Sequence, residues 1–373
     1  MRAGRAVMTA GRRLLILSAS MGAGHDAVAA ELARRLVAQG AEAEVVDVLR
    51  LLPLRLGSVL RRGYHRMVRH APWLYELIYR SFFLAKRAPP VSPLVVLAAA
   101  RLRRLAARRA PDEVVCTFHL AAQIAGRLRE RGGLAAPSTV LVTDFTAHRL
   151  WLHPGNDLYL CWSPVAFGQV AAAGHRVLRH APVVRPRFRA PGAGPAEVRA
   201  RLGAGPGDRL VLVSAGSWGV GEVSETARVL ARSGRYTPVV LCGGNAGLRR
   251  RLRRAGAEPA LGWRTDVPEL MAAAYALVDN AAGLTCEEAF AAGLPVVSHR
   301  PIAGHGRDGA RAMARAGVSV HAPDGAALLE ALDGLGDGRR RGRQIARASA
   351  LFASAPVEAV LITAPARPSP ARG

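Results

Sequence analysis

His25 sits in Met21-Gly22-Ala23-Gly24-His25, a glycine-rich turn directly after the apolar run Leu14 to Leu17. Thr143-Asp144-Phe145-Thr146-Ala147-His148 follows a second such run and leads to Trp151. Residues at the carboxyl ends of strands in a doubly wound sheet face the ligand crevice, so His25, Asp144 and His148 can act together on a hydroxyl proton there. The plainer reading of His25 is a helix cap, and of Asp144 a cap on the turn that follows it. A second glycine turn, Ala215-Gly216-Ser217-Trp218-Gly219-Val220-Gly221, follows the apolar run Leu210 to Ser214. In both turns glycine lets the backbone approach a ligand at a helix N-terminus, where free N–H groups favour anions.

Gly262-Trp263-Arg264-Thr265-Asp266-Val267-Pro268 and Ala281-Ala282-Gly283-Leu284-Thr285-Cys286-Glu287-Glu288 are the most specific stretches. A small-residue turn ahead of a helix offers a seat for a diphosphate, and an acid one turn into that helix can hydrogen-bond a ribose diol. Gly22 to Ala27 also fits G-x-G-x-x-A, with Asp47 where a nicotinamide enzyme keeps its ribose acid, so a dehydrogenase stays open. The chain has no Asp-x-Asp, which suits metal-independent chemistry. It also lacks a Gly-x-x-x-x-Gly-Lys loop, which disfavours a P-loop kinase or ATPase.

Short apolar runs alternate with amphipathic helices from Arg13 on, predicting parallel sheets covered on both faces. The first half reads as strands at Leu14–Ser18, Ala43–Val48, Glu113–Thr117 and Thr139–Thr143, with one long helical segment reaching Ala110. Residues 186–207 are rich in Pro, Arg and Gly and divide a domain at 13–185 from one at 208–335. Residues 336–373 are expected to form a helix packing back across the domains, then a disordered Pro-rich end. The fold class is α/β, two Rossmann-like doubly wound domains facing across a cleft.

The net charge of +25 in 373 residues is almost wholly arginine, since Lys86 is the only lysine. Such a balance favours anionic partners. The arginine runs at 101–109, 249–254 and 339–343 read as solvated helix faces, and no nucleic-acid motif accompanies them. Four scattered cysteines read as buried free thiols in a reducing compartment. The first dozen residues are expected to be a ragged cytoplasmic leader, and no segment reads as a bilayer span. Between Ser58 and Leu84, Tyr64, Trp73, Tyr75, Tyr79, Phe82 and Phe83 hold six of the nineteen aromatics beside Arg61, Arg62, Arg66, Arg69 and Arg80. Amphipathic rings and basic residues at helical spacing suit an interfacial membrane helix pair, and ordinary core packing is the alternative.

These motifs, over most of residues 13–320, resemble the GT-B glycosyltransferases of the group containing monogalactosyldiacylglycerol synthases and the peptidoglycan lipid II synthase, glycosyltransferase family 28. The resemblance implies a hexosyltransferase that takes a UDP-sugar as co-substrate, needs no cofactor or metal, and inverts configuration on a diacylglycerol-like hydroxyl or, alternatively, a polyprenyl carrier. It implies a peripheral enzyme on the cytoplasmic face of an anionic membrane, with no nucleic-acid partner. Base contacts are expected near Trp263, the ribose on Glu288, and the diphosphate over Ala282, Gly283, Leu284 and Thr285. Gly216, Gly219, Gly243, Asn245, His305 and Arg307 are placed on the donor side. Gly22, Gly24, Tyr64, Trp73, Tyr75, Phe82 and Trp151 are placed on the acceptor and membrane side, with His25, Asp144 and His148 catalytic. The chain departs from the family in having Ala282-Gly283 for a glycine pair and Gly304-His305-Gly306-Arg307-Asp308-Gly309 for a Gly-Gln-Glu-x-x-Asn-like sugar run. That departure leaves room for a catalytically altered relative. A nucleotide-sugar epimerase of the same fold is a further alternative.

Overall fold

The computed structural model describes residues 11–84, 92–257 and 259–363. Most of the expected leader, Lys86 and the expected Pro-rich end lie outside these. The N-terminal half runs β1 (Arg13–Ser18), α1 (Ala23–Ala38), β2 (Glu42–Asp47), α2 (Leu56–His70), α3 (Pro72–Ile78), a π-helical turn (Tyr79–Leu84), α4 (Pro93–Arg109), β3 (Glu113–Cys116), α5 (His119–Glu130), β4 (Ser138–Val142), β5 (Leu158–Cys161), α6 (Pro164–Ala172) and β6 (Val177–Arg179). All six strands are parallel, in the order β2-β1-β3-β4-β5-β6. The central strands are buried on both faces, as parallel sheets require, so Leu14 to Leu17 read as an unbroken apolar run rather than alternating.

The second half starts with α7 (Pro195–Arg201) and continues through β7 (Leu210–Ser214), α8 (Val223–Arg232), β8 (Thr237–Leu241), α9 (Ala246–Arg254), β9 (Ala260–Leu261), α10 (Val267–Ala273), β10 (Ala276–Asp279), α11 (Leu284–Ala291), β11 (Val296–His299), α12 (His305–Arg315), β12 (Val320–Ala322), α13 (Gly325–Gly334), α14 (Gly338–Ala350) and α15 (Val357–Thr363). Its sheet is also parallel, ordered β12-β11-β10-β7-β8-β9. The two sheets make the α/β doubly wound pair expected of the sequence.

Several expectations change in detail. The long helical segment before Ala110 is broken, because Ala71 leaves helical dihedrals (φ −141) ahead of Pro72 and α4 starts afresh on its Ser92 cap. The Pro-rich connection is not a free linker: Phe188 and Val198 are buried in the second domain's core. By length and composition Gly338–Ile362 suffices to cross a membrane, contrary to the expectation of no such segment. In the structure it is two helices: Gln344 of α14 donates to the carbonyls of Val296 and Val318, while Val357 and Leu361 of α15 join the first domain's core. Arg12 donates to the Leu361 carbonyl, and Arg35 pairs with Glu358 at 3.5 Å, so the chain closes back on its start. All four cysteines are buried and unpaired.

α11 buries Glu287 and Glu288 side by side on the seam between the domains. Burial pushes the Glu287 carboxyl well above its ordinary 4.5, with the charges of Glu288 and Asp144 adding to the rise. An unfolded Glu287 releases its proton near 4.5 while the folded one keeps it, so its contribution to stability falls as pH rises above 4.5. Glu287→Gln removes that slope. Thermal melts should therefore show the variant gaining on the parent between pH 5 and pH 8; a pH-independent difference would contradict the assignment.

Candidate active site between the two sheets

Strand ends of the two sheets point at one another, and their glycine turns touch. The Ala23 N–H donates to Ser217 Oγ at 3.2 Å, and a Cβ at Gly24 would stand 3.6 Å from Leu284 Cβ. The first turn of α11 thus lies directly across from the loop that carries His25. Gly22, at φ 142, starts α1 without any side-chain cap, so His25 is not the helix cap the plainer reading allowed. Its Nδ1 instead lies 2.9 Å from Thr143 Oγ1.

Asp144 caps no turn either. Its Oδ2 accepts the Trp151 indole N–H at 2.9 Å and lies 3.8 Å from His148 Nε2. Trp151, expected on the acceptor side, is fully buried and holds Asp144 through its indole N–H. His148 is buried, and its Nδ1 has no partner among the described residues. His119, not singled out from the sequence, opens α5, packs edge-on against His148 at 5.2 Å and lies tilted 4.1 Å from Phe118, which in turn meets His25 at 4.9 Å. Its isolated position after β3 resembles an ordinary strand-end residue, and only the parallel order β1-β3-β4 brings it beside His25 and His148. Burial lowers the pKa of His119 to about 3 and that of His148 well below 6.5, with neighbouring histidines adding to both. The pair is uncharged at neutral pH.

The aromatic segment forms the third side of this space. Rings follow one another from Trp218 in the second domain through Tyr64, Tyr75, Tyr79 and Phe83 to His148, with successive centroids between 4.9 and 6.2 Å apart. Tyr64 and Tyr75, expected on the acceptor and membrane side, pack inward. Trp73 and Phe82 remain outside, 69% and 46% exposed. Helical geometry accounts for the split, since Trp73 and Leu77 share one face of α3 while Tyr75 and Tyr79 share another. Tyr75 Oη meets His305 Nδ1 at 2.7 Å, and Tyr79 Oη donates to Asp308 at 3.1 Å.

On the donor side the outcome is mixed. Glu288 is buried, raised to about 7 by burial against the pull of Arg185, whose guanidinium lies 3.4 Å away. Trp263 is 64% exposed on the loop before α10. Asn245 caps α9 through Leu248 N–H and donates to the Gly219 carbonyl at 2.8 Å, fastening the turn of Gly216 and Gly219 to that of Gly243. Arg307 pairs with Glu76 at 2.9 Å and with Asp308 at 3.4 Å. Ala282 holds φ 52, a left-handed conformation suited to glycine, and Gly309 is what makes room for its methyl: a Cβ at 309 would lie 2.9 Å from Ala282 Cβ. Asp47 accepts from Leu49 N–H and Ser20 N–H, so it serves the backbone where a nicotinamide enzyme would need it on ribose.

Residues 25–176 match the family model for monogalactosyldiacylglycerol (MGDG) synthase. The processive diacylglycerol beta-glucosyltransferase of Bacillus pumilus is 25% identical over 84% of this chain and 84% of its own length. That of Bacillus subtilis is 25% identical over 88% of each. Among solved structures, Acinetobacter baumannii MurG superimposes with a TM-score of 0.60 at 15% identity, covering 95% of this chain and 98% of that one. Anabaena Alr3699/HepE in complex with UDP gives 0.55 at 16% identity, covering 91% and 94%. The two parallel sheets meeting at their carboxyl ends, and the match across the His25 to Trp151 region, lead to one conclusion. This chain has the GT-B fold, and over residues 25–176 it resembles the monogalactosyldiacylglycerol synthases.

Proposed function

We propose that the enzyme moves a hexose from a UDP-sugar to the hydroxyl of a diacylglycerol-like lipid, with inversion, at the cytoplasmic face of an anionic membrane. The single observation that carries this reading is the placement of His25 opposite the first turn of α11, supported by relatives named as diacylglycerol glucosyltransferases. Thr143 fixes the His25 ring through Nδ1, which leaves Nε2 to take the acceptor proton. The alkoxide then attacks the anomeric carbon from the side opposite the diphosphate; the new C–O bond forms as the bond to UDP breaks. The leaving diphosphate gains stabilisation from the N–H groups of Leu284 and Thr285, which as first-turn donors have no intrahelical acceptor. No metal or further cofactor enters this scheme, in keeping with the lack of an Asp-x-Asp. Glu288 holds the ribose diol.

The lipid side rests on surface chemistry. Leu54, Val59, Trp73, Leu77, Phe82, Val96 and Leu97 are exposed large apolar residues that all fall between residues 54 and 97. Exposed Arg61, Arg62, Arg66 and Arg80 accompany them. Apolar side chains entering the headgroup boundary beside arginines that meet anionic lipid constitute an interfacial docking face.

Replacing His25 by Ala should remove turnover with UDP affinity retained, whereas Glu288→Ala should weaken UDP by about tenfold; equal loss of both properties in either variant would contradict the roles. In vesicle flotation with anionic lipid, the joint substitution Trp73→Ser and Phe82→Ser should lower binding by at least about tenfold. Binding that survives it would place the docking face elsewhere.

A further inference from the structure

The arginine run at 339–343 is expected from the sequence to be a solvated helix face, yet α14 lays one side of it along an open cavity of about 480 Å³. Arg340, Arg343, Gln344 and Arg347 recur at spacings of three and four, so they share that side. The opposite wall is α13, where Ala327 and Ala331 stand one turn apart and their methyl groups leave the space that larger side chains would fill. The third wall is the approach to β12 and its first residues, from Gly317 to His321. Carboxyl ends of the strands line the cleft that holds His25 and α11, whereas this wall is an amino end. The cavity is therefore separate from the candidate active site.

Its mouth is basic. A Cβ at Gly317, which adopts φ 70, would collide with the Arg347 guanidinium, and one at Gly334 would stand 3.3 Å from Arg340 Nη1, so both guanidinia lie against glycine backbone at the rim. Arg340 shares its charge with Asp337 at 3.7 Å. Arg343 and Arg347 are exposed and have no carboxylate partner among the described residues, and Glu330 is the single acid on the walls. Below them lie two buried polar side chains, Gln344 at 7% and Ser319 at 4% exposure. The Gln344 amide nitrogen spends its two hydrogens on the carbonyls of Val296 and Val318. Its oxygen is left without a donor, and Ser319 Oγ has no partner either among the described residues. Buried polar atoms left so are costly, and a hydroxyl from outside the chain satisfies both.

We propose that this cavity binds a phosphorylated polyol, with the phosphate on Arg343 and Arg347 and the hydroxyls reaching Gln344 Oε1 and Ser319 Oγ. Small-molecule sites usually enclose roughly 300–1,000 Å³, so a sugar or glycerol phosphate has room. The same chemistry is found in a free phosphate ester and in a phospholipid headgroup. The free ester is the better match, because α3, which carries part of the proposed lipid face, packs on Gly304 and His305 at the cleft side of the domain. A ligand away from the cleft is an effector, not a reactant. It would bear on α14, through which the chain returns to α15 in the first domain's core.

Equilibrium titration of the full chain with sn-glycerol 3-phosphate, glucose 6-phosphate and myo-inositol 1-phosphate, against inorganic phosphate and glycerol, tests the assignment. At least one phosphorylated polyol should bind about fivefold or more tightly than inorganic phosphate, and saturating UDP should leave its affinity unchanged. The joint substitution Arg343→Ala and Arg347→Ala should weaken it by at least about tenfold. Both side chains are exposed, so the thermal midpoint of the ligand-free protein should not move. Ala331→Leu keeps both arginines but fills the cavity, and should weaken the same ligand while sparing UDP. Flotation on vesicles of phosphatidylglycerol in phosphatidylcholine that Ala331→Leu reduces, with no soluble ester bound, would assign the same site to a headgroup. Affinity no higher than for inorganic phosphate in the first arm with flotation indifferent to Ala331→Leu in the second would leave the two buried atoms to water and overturn the inference. Displacement of the ester by UDP would overturn it as well.

Discussion

Everything at the candidate site depends on two parallel sheets presenting their carboxyl ends to each other. Parallel strands end in loops that cannot satisfy all their polar groups internally, and helices start there with unpaired N–H donors. When two such edges meet, as at Ala23 with Ser217 and Gly24 with Leu284, the donors of one domain face the proton acceptors of the other. The segment from α2 to the π-helical turn fills the open side, and its aromatic rings connect the glycine turn of the second domain to the histidines of the first.

That arrangement explains the electrostatics. His119, His148 and His305 all lose basicity chiefly through burial, and Glu287 and Glu288 gain it for the same reason. A chain carrying +25 thus builds a near-neutral interior site. The arginines that come close are tied up: Arg185 against Glu288, Arg307 against Glu76 and Asp308. On the proposed reading, the backbone of α11 is what remains for an incoming diphosphate, and the arginines of α2 with Arg80, beside exposed Trp73 and Leu77 of α3, are what remain for a lipid surface.

Much of this was legible in the sequence. Unbroken apolar runs such as Leu14 to Leu17 announce buried parallel strands, and Gly22 to His25 and Ala281 to Glu288 announce helix starts. Strands β5, β6 and β12 escaped notice because runs of three or four residues carry no usable period. The amphipathic pattern of residues 58 to 84 marks helices there but not what their inner face meets, because Tyr75 and His305 are 230 positions apart. Likewise Asn245 and Arg307 carry residue types that bind donors, and nothing local announces Gly219 and Glu76 as their partners. Such pairings are tertiary facts, fixed by which strand edges and helices adjoin.

The most direct test of the account is to mix purified enzyme with a panel of UDP-sugars and diacylglycerol-containing anionic vesicles and to follow the lipid fraction by mass spectrometry. The account predicts one or more glycolipids heavier than diacylglycerol by whole hexose units, formed with stoichiometric UDP release and with the anomeric configuration opposite to that of the donor. Stoichiometric free hexose with unmodified lipid, or a product of retained configuration, would contradict it.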